Sequence, residues 1–267
     1  MVRLRRTVRF CVNPPGVPDV PDPRNGYAGK PPMRALGRYY ELDVSAIGDP
    51  NPATGYLLNI KDIDRAAHAA IPIIAEACAD TPQVDPAVLL PALVGALGAA
   101  LPGARFESLR WRLTPYYSVE MTGDDTTRVL IRQAFDFAAA HRLHVASLSD
   151  EENRRIFGHC NNPAGHGHNY RIEPCVESEL DAQGPAFSLP ELERLTDEVI
   201  LKRFDHAHLN VDTPEFGESG MMPSVENIAR VFYELLAPDV SEASHGRATL
   251  RAVTVWETDR TSATYPG

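Results

Sequence analysis

One stretch concentrates the residues that could do chemistry: Phe157-Gly158-His159-Cys160-Asn161-Asn162-Pro163-Ala164-Gly165-His166-Gly167-His168-Asn169-Tyr170. It is a Pro/Gly-rich turn that runs into a strand-like segment. His166 and His168 are two residues apart, a spacing that on a strand puts both imidazoles on one face. A pair of metal ligands needs that arrangement, and a core strand rarely does. A third histidine, His141, ends the preceding strand-like run from Phe137. An antiparallel neighbour would hold it about 5 Å from the pair. Three imidazoles with a fourth position open form a catalytic zinc pattern. Cys160 is open to two readings. It is a fourth ligand of a structural site, or a free thiol, lowered in pKa by a metal and imidazoles, that acts as a base.

Two further sites stand alone. Asp205-His206 follows a helix and could shuttle a proton near neutral pH, or be an ordinary helix C-terminal pair favoured by the macrodipole. Glu257 ends a strand after Trp256, where its carboxylate could grip an amidine-like pair of ring N–H donors or simply face solvent. His68, His144, His159, His208 and His245 belong to no constellation and read as surface or satisfied histidines.

The elements that must position these residues fall into two similar halves. Thr7–Cys11 and Gly37–Val44 read as strands, joined by a Pro/Gly-rich loop from Pro14 to Pro32. Asn59 caps a helix bearing Ile60, Ile63, Ala67 and Ile71. Asp85-Pro86 opens a second helix, with Val88, Leu89, Leu93 and Leu97 at helical spacing. Ser108–Leu113 and Tyr116–Met121 form a hairpin. In the second half Ile131–Ala140 is a strand, followed by a long loop and then the strand His166–Val176. Ser188 to Glu191 reads as a capping box, and Ser224 caps a helix with Val225, Ile228, Phe232, Leu235 and Leu236 inward. Arg251–Glu257 and Thr261–Tyr265 close the chain as a hairpin. Each half is ββααββ, so the chain reads as an internal duplication with a boundary near Gly123–Thr127. Leu36 and Arg38 then stand where His166 and His168 stand, Pro14 falls near His141, and Trp111-Arg112 aligns with Trp256-Glu257. The first copy has lost its chemistry.

Composition bounds the partners. The 267 residues are 43% hydrophobic and 23% charged, ordinary for a globular chain. A formal net charge of −10 argues against a long nucleic-acid surface, and an anionic substrate would need a local positive pocket. No apolar run is long enough to span a bilayer, and no signal-peptide core follows Met1–Arg6. Four scattered cysteines, Cys11, Cys78, Cys160 and Cys175, do not make a disulfide scaffold. A cytoplasmic setting is expected.

The second half resembles the 6-pyruvoyl-tetrahydropterin synthase family. The resemblance runs through Phe137–His141, Leu148-Ser149-Asp150-Glu151-Glu152-Asn153, Phe157–Tyr170, Phe204–Asn210, Glu226-Asn227 and Trp256-Glu257-Thr258-Asp259 to Gly267. It implies an α+β tunnelling fold: two tandem ββααββ units whose antiparallel sheets form an oligomeric barrel with helices outside. Residues 1–125 are the degenerate unit and 126–267 the catalytic one. It implies zinc on His141, His166 and His168, with Cys160 as the thiolate base. Asp205 and His206 would relay protons from a neighbouring subunit. Glu257 would anchor the pterin ring, with Ser224 and Glu226 beside it. The implied reaction converts 7,8-dihydroneopterin triphosphate to 6-pyruvoyl-tetrahydropterin with elimination of triphosphate. The longer loop from Cys160 to His166 favours this over 6-carboxy-tetrahydropterin synthase or another pterin side-chain lyase; a non-catalytic pterin-binding or structural zinc protein is the other alternative. A fused pair of units suggests a homotrimer imitating a hexamer, with three zinc sites. The family's Ser-Thr-Thr-Glu-Asn-type stretch reads Pro223-Ser224-Val225-Glu226-Asn227 here, one hydroxyl fewer.

Overall fold

The structure is a computed structural model that describes residues 1–18, 24–101, 104–217 and 220–267. The part of the Pro14–Pro32 loop at 19–23 lies outside the described residues. The architecture is mixed α+β. In chain order the strands are β1 (Val2–Val12), β2 (Arg38–Gly48), β3 (Arg105–Arg112), β4 (Tyr117–Thr122), β5 (Arg128–Gln133), β6 (Phe135–His141), β7 (His166–Asp181), β8 (Gly184–Pro185), β9 (Ala207–His208), β10 (Ala248–Thr258) and β11 (Thr261–Tyr265). The helices are α1 (Ile60–Asp80), α2 (Leu90–Ala100), α3 (Asp150–Phe157), α4 (Leu189–Thr196), α5 (Lys202–Phe204), α6 (Leu209–Asp212) and α7 (Val225–Ala243). None is long and apolar enough to cross a membrane among the described residues. The chain divides into two compact units, Met1–Ile131 with Ser178–Ala186, and Arg132–Glu177 with Phe187–Gly267.

In the first unit, β1 to β4 form an antiparallel meander in sequence order. Alternation along each strand sorts side chains between two faces. Val8, Phe10, Leu42, Val44, Leu109, Trp111, Val119 and Met121 are buried, as are Ile63, Ala67 and Ile74 of α1 and Leu90, Leu93 and Leu97 of α2. Asn59 caps α1, its side chain accepting from the Lys61 amide. Asp85 caps a short 3-10 turn, Pro86–Leu89, that leads into α2, so the second helix starts later than the sequence suggests.

The opposite face of this sheet is charged. Asp43 is only 2% exposed, yet its carboxylate takes Arg5, Arg112 at 2.8 Å and the Thr7 hydroxyl at 2.5 Å. Burial pushes this carboxyl up, but the Thr7 and Arg5 hydrogen bonds and the Arg112 charge outweigh it and hold the pKa below the usual value.

The second unit is built on β6, β7, β10 and β11. β6 and β7 pair antiparallel, β7 neighbours β10, and β10 pairs antiparallel with β11. Its core is aromatic: Phe137 stacks on Tyr170 at 4.9 Å, Phe232 of α7 leans on Phe137 at 5.5 Å, and Phe204 meets Phe232 at 4.8 Å. Three expectations change here. The strand predicted over Ile131–Ala140 is two strands, broken at Ala134. The predicted long loop contains α3, closed by a capping box between Ser149 and Glu152. Ser188 does stand at the N-cap of α4, but its side chain makes no capping bond. After α4 the chain passes through a π-helical stretch, Asp197–Leu201, before α5.

The Asp43 arrangement sets a stability test. Replacing Asp43 by Ala should cost about 2 kcal/mol, less than a fully buried pair because Arg5 and Arg112 are partly solvated. Because the folded pKa is depressed, the contribution is present above about pH 4 and lost as pH falls through the folded value. Urea melts at pH 7 and pH 3 check this: the difference between the parent and Asp43→Ala should be smaller at pH 3 than at pH 7. An equal difference at both would remove the ion network as its cause.

Candidate metal and pterin site

The β6–β7 ladder sets His141 directly opposite His166, and Ala139 opposite His168. Period-two alternation then brings all three imidazoles to one face. Ring centroids are 4.6 Å apart for His141–His166, 5.1 Å for His141–His168 and 4.7 Å for His166–His168. The Nε2 atoms of His141 and His166 approach to 3.2 Å.

His141 is fully buried. Its Nδ1 lies 2.7 Å from the Pro223 carbonyl oxygen. A carbonyl only accepts, so Nδ1 carries the hydrogen and Nε2 keeps a lone pair facing the other rings. Burial lowers the His141 pKa to about 4, with His166, His168 and His208 adding to the effect against the Pro223 bond. The ring is therefore neutral near pH 7. Nothing in the sequence signals this partner, which is a backbone carbonyl 82 positions away.

The cluster fits a cation. His168 Nε2 is buried with no hydrogen-bond partner among the described residues, an arrangement that normally costs free energy. The 3.2 Å spacing of two Nε2 atoms matches the edge of a tetrahedron with bonds of ~2.0–2.1 Å. Two further groups share the space. His141, Cys160 and His166 have ligand-type atoms within 4.8 Å of one another, and so do His141, His168 and Glu257. Glu257 Oε1 lies 3.5 Å from His141 Nε2 and 3.7 Å from His168 Nε2. The chain thus brings His141, His166, His168, Cys160 and Glu257 together; Cys160 beside the histidines is one of the sequence expectations, whereas Glu257 there is not written in the sequence.

Cys160 sits in a short 3-10 turn, Gly158–Asn161, directly after α3. Its carbonyl accepts from the Leu143 amide at 2.8 Å, tying the turn to the chain just past β6. Buried Asn153 braces the same loop through hydrogen bonds with Val145, Leu148 and Ser149. The Cys160 thiol pKa is raised, by burial first and by Glu257 second. That is the balance of the protein groups alone; the lowering expected from the sequence depends on a bound metal.

Asp205 and His206 are held elsewhere. Asp205 Oδ1 accepts the Ala138 amide at 2.8 Å, and the His206 amide donates to the Ala138 carbonyl at 2.5 Å. Asp205 Oδ2 lies 3.0 Å from His206 Nδ1, and the His206 ring is 83% exposed. His206 takes a φ of 59°, a left-handed conformation uncommon outside glycine. The pair is an ordered dyad beside β6; its His206 shares a concavity with His168 and His208, but no hydrogen bond or ion pair joins the dyad to the histidine cluster among the described residues. Ser224 caps α7, accepting from the Asn227 amide at 3.5 Å, and Glu226 is exposed in its first turn. Only the Pro223 carbonyl beside Ser224 reaches the cluster. His208, expected at the surface or satisfied, is half-buried with Nδ1 unpartnered among the described residues.

With this geometry in place, a family profile described as 6-pyruvoyl tetrahydropterin synthase matches residues 130–267. The chain belongs to that family. The human 6-pyruvoyl tetrahydrobiopterin synthase is 36% identical over 138 residues, 51% of this chain and 90% of the human one. The Drosophila melanogaster enzyme of the same name is 36% identical over 133 residues, 49% of this chain and 75% of its own. The solved Caenorhabditis elegans 6-pyruvoyl tetrahydropterin synthase shares 36% identity, covering 52% of this chain and 96% of its own, with a TM-score of 0.47. The family profile leaves residues 1–129 outside its match.

Gly165 tests the packing of the site. It has a φ of 71°, and a Cβ there would meet His208 Nε2 at 2.5 Å and the His141 carbonyl at 3.1 Å. Gly165→Ala should lose about 1–3 kcal/mol from backbone strain alone. The further substitution His208→Ala should recover the side-chain clash but not the strain. Thermal denaturation of the three proteins reads this, and a Gly165→Ala protein as stable as the parent would contradict the loop geometry.

Proposed function

We propose that this chain is a zinc-dependent lyase converting 7,8-dihydroneopterin triphosphate to 6-pyruvoyl-tetrahydropterin with elimination of triphosphate. The observation that carries the reading is the neutral, Nδ1-protonated His141 converging with His166, His168, Cys160 and Glu257. The names of the curated relatives support the same activity.

His141, His166 and His168 would hold the zinc through Nε2 atoms. Bound there, the metal supplies Lewis acidity to the side-chain hydroxyls and the carbon-bound protons beside them. Cys160 takes a proton from that carbon, which requires its thiolate. Glu257 accepts from the amino and ring N–H groups of the pterin. Asp205 orients the His206 imidazole through the 3.0 Å contact, so His206 can carry a proton. As the family resemblance implies, the dyad would serve the site of a neighbouring copy. Exposed Glu226 and the capping Ser224 keep only a supporting place, at the rim beside Pro223.

We further propose that the chain is a tandem duplication, with residues 1–125 a degenerate unit and 126–267 the catalytic one, assembled as a homotrimer with three zinc sites in a barrel with helices outside. Register within each unit supports the duplication. Phe10 faces Tyr40 and Val12 faces Arg38 in the first, as Phe137 faces Tyr170 and Ala139 faces His168 in the second.

Incubation with dihydroneopterin triphosphate, following triphosphate release, is the direct assay; a zinc-loaded protein that releases none would reject the reading. Cys160→Ala should keep its metal and lose about 10²–10⁴-fold in turnover, whereas loss of metal would make Cys160 a ligand. Light scattering with metal counting should give three zincs per three chains, and six would refute the degenerate first unit.

A further inference from the structure

Beside the histidine cluster lies a second concavity, of about 640 Å³, that the proposed roles leave unused. Its walls include Arg142, Asp150, Arg154, His159, Asn161 and His166. His166 is shared, so the concavity opens directly from the cluster.

Its charge is opposite to that of the chain, which carries a formal −10. Arg142 follows His141 on the chain, and its backbone is clamped by the Asn210 side chain at 2.7 and 3.0 Å. One of its guanidinium nitrogens reaches His144 at 3.3 Å. Its Nε is buried and has no partner among the described residues. Arg154 stands in the last turn of α3. Asp150, one turn earlier on the same helix, also lines the wall, yet neither forms an ion pair among the described residues. Two guanidinium groups are thus held at the rim of one cavity with donors to spare, and the Asn161 amide and the His159 ring extend the set. Arginine forks suit phosphate oxygens in this way.

We infer that this concavity is the polyphosphate subsite. It receives the triphosphate tail of the substrate while the rest of the molecule lies across the histidines toward Glu257. This rests on the pterin reading above and assigns Arg142 and Arg154 to it. The elimination makes the role concrete. The carbon next to the phosphorylated one gives up its proton, that electron pair becomes a carbon–carbon double bond, and the adjacent carbon–oxygen bond breaks. The oxygen leaves with its electron pair on triphosphate. Charge therefore accumulates on the leaving group in the cavity, where Arg142 and Arg154 meet it. Binding on these residues would also make free triphosphate a competitive product inhibitor.

Calorimetric titration with inorganic tripolyphosphate and, separately, with unphosphorylated 7,8-dihydroneopterin tests this on the metal-loaded full chain. Tripolyphosphate should bind the parent, with an affinity that falls as salt rises. Arg154→Ala should weaken it about tenfold or more, Arg154→Lys less, and both should bind dihydroneopterin as the parent does. Since Arg154 is exposed on α3, a purely structural role would leave tripolyphosphate affinity unmoved. Equal affinity in parent and Arg154→Ala, or no tripolyphosphate binding to the parent, would overturn the subsite. Arginine-dependent tripolyphosphate binding without dihydroneopterin binding would retain an anion subsite and reject the pterin reading instead.

Discussion

The proposed site depends on one hydrogen bond, from the buried His141 ring to the Pro223 carbonyl at 2.7 Å. It fixes the tautomer, and the tautomer decides which nitrogen faces His166 and His168. Burial then keeps the ring neutral, so its lone pair is available rather than protonated. Pro223 ends the segment that leads into α7, and α7 contributes Phe232 to the stack with Phe137. Phe137 lies on β6, four residues before His141. The aromatic core and the ring orientation therefore constrain each other: a shift of α7 moves both the carbonyl and the strand that carries the histidine.

Under the proposed duplication, the first unit is the same ladder without that chemistry. The aromatic pair Phe10–Tyr40 sits in the register of Phe137–Tyr170. In that proposed alignment, Arg38 falls two residues farther along at the position of an imidazole, and Leu36, 93% exposed, falls at that of His166. Apolar and cationic side chains cannot converge on a cation. The alignment of Trp111 with Trp256 does not survive, however. Trp111 is buried against Tyr40, whereas Trp256 lies under the Arg171 guanidinium, and Arg171 points away from Tyr170, its neighbour on β7. The two tryptophans belong to opposite faces.

What was legible in the sequence follows the range of the physics involved. The pairing of His166 with His168 is a period-two signal, and His141 on the partner strand needs only an antiparallel register; both are local. The meander, the Asn59 and Ser224 caps and the closing hairpin are local too. The capping box that starts α3, Ser149 to Glu152, is equally local, but the helix behind it is only eight residues long and mostly polar, so its apolar periodicity is weak. The Pro223 partner, the approach of Glu257 to the histidines and the insertion of the π-helical stretch are not written in any short pattern. They arise when segments far apart in the chain pack, and a backbone carbonyl has no residue type to betray it. His208 carries no local signal because its place depends on Gly165, whose missing side chain makes room for it.

Charge draws these features into one argument. Cys160 groups with His141 and His166, and Glu257 with His141 and His168, so two potential anions meet at the neutral His141 ring. The Glu257 carboxylate adds to burial in disfavouring the thiolate. The arrangement is electrostatically incomplete as a set of protein groups alone: it gathers lone pairs and anionic capacity and provides no cation. A divalent ion on the imidazoles would reverse the sign of the local field, favouring the Cys160 thiolate and easing the approach of Glu257. The cationic lobe at Arg142 and Arg154 cannot substitute, because their guanidinium groups belong to the neighbouring concavity rather than to the space between the rings. Two positive regions with different tasks, one completed by a metal and one built from arginine, are what a strongly acidic chain would need to handle a substrate carrying both hydroxyls and polyphosphate.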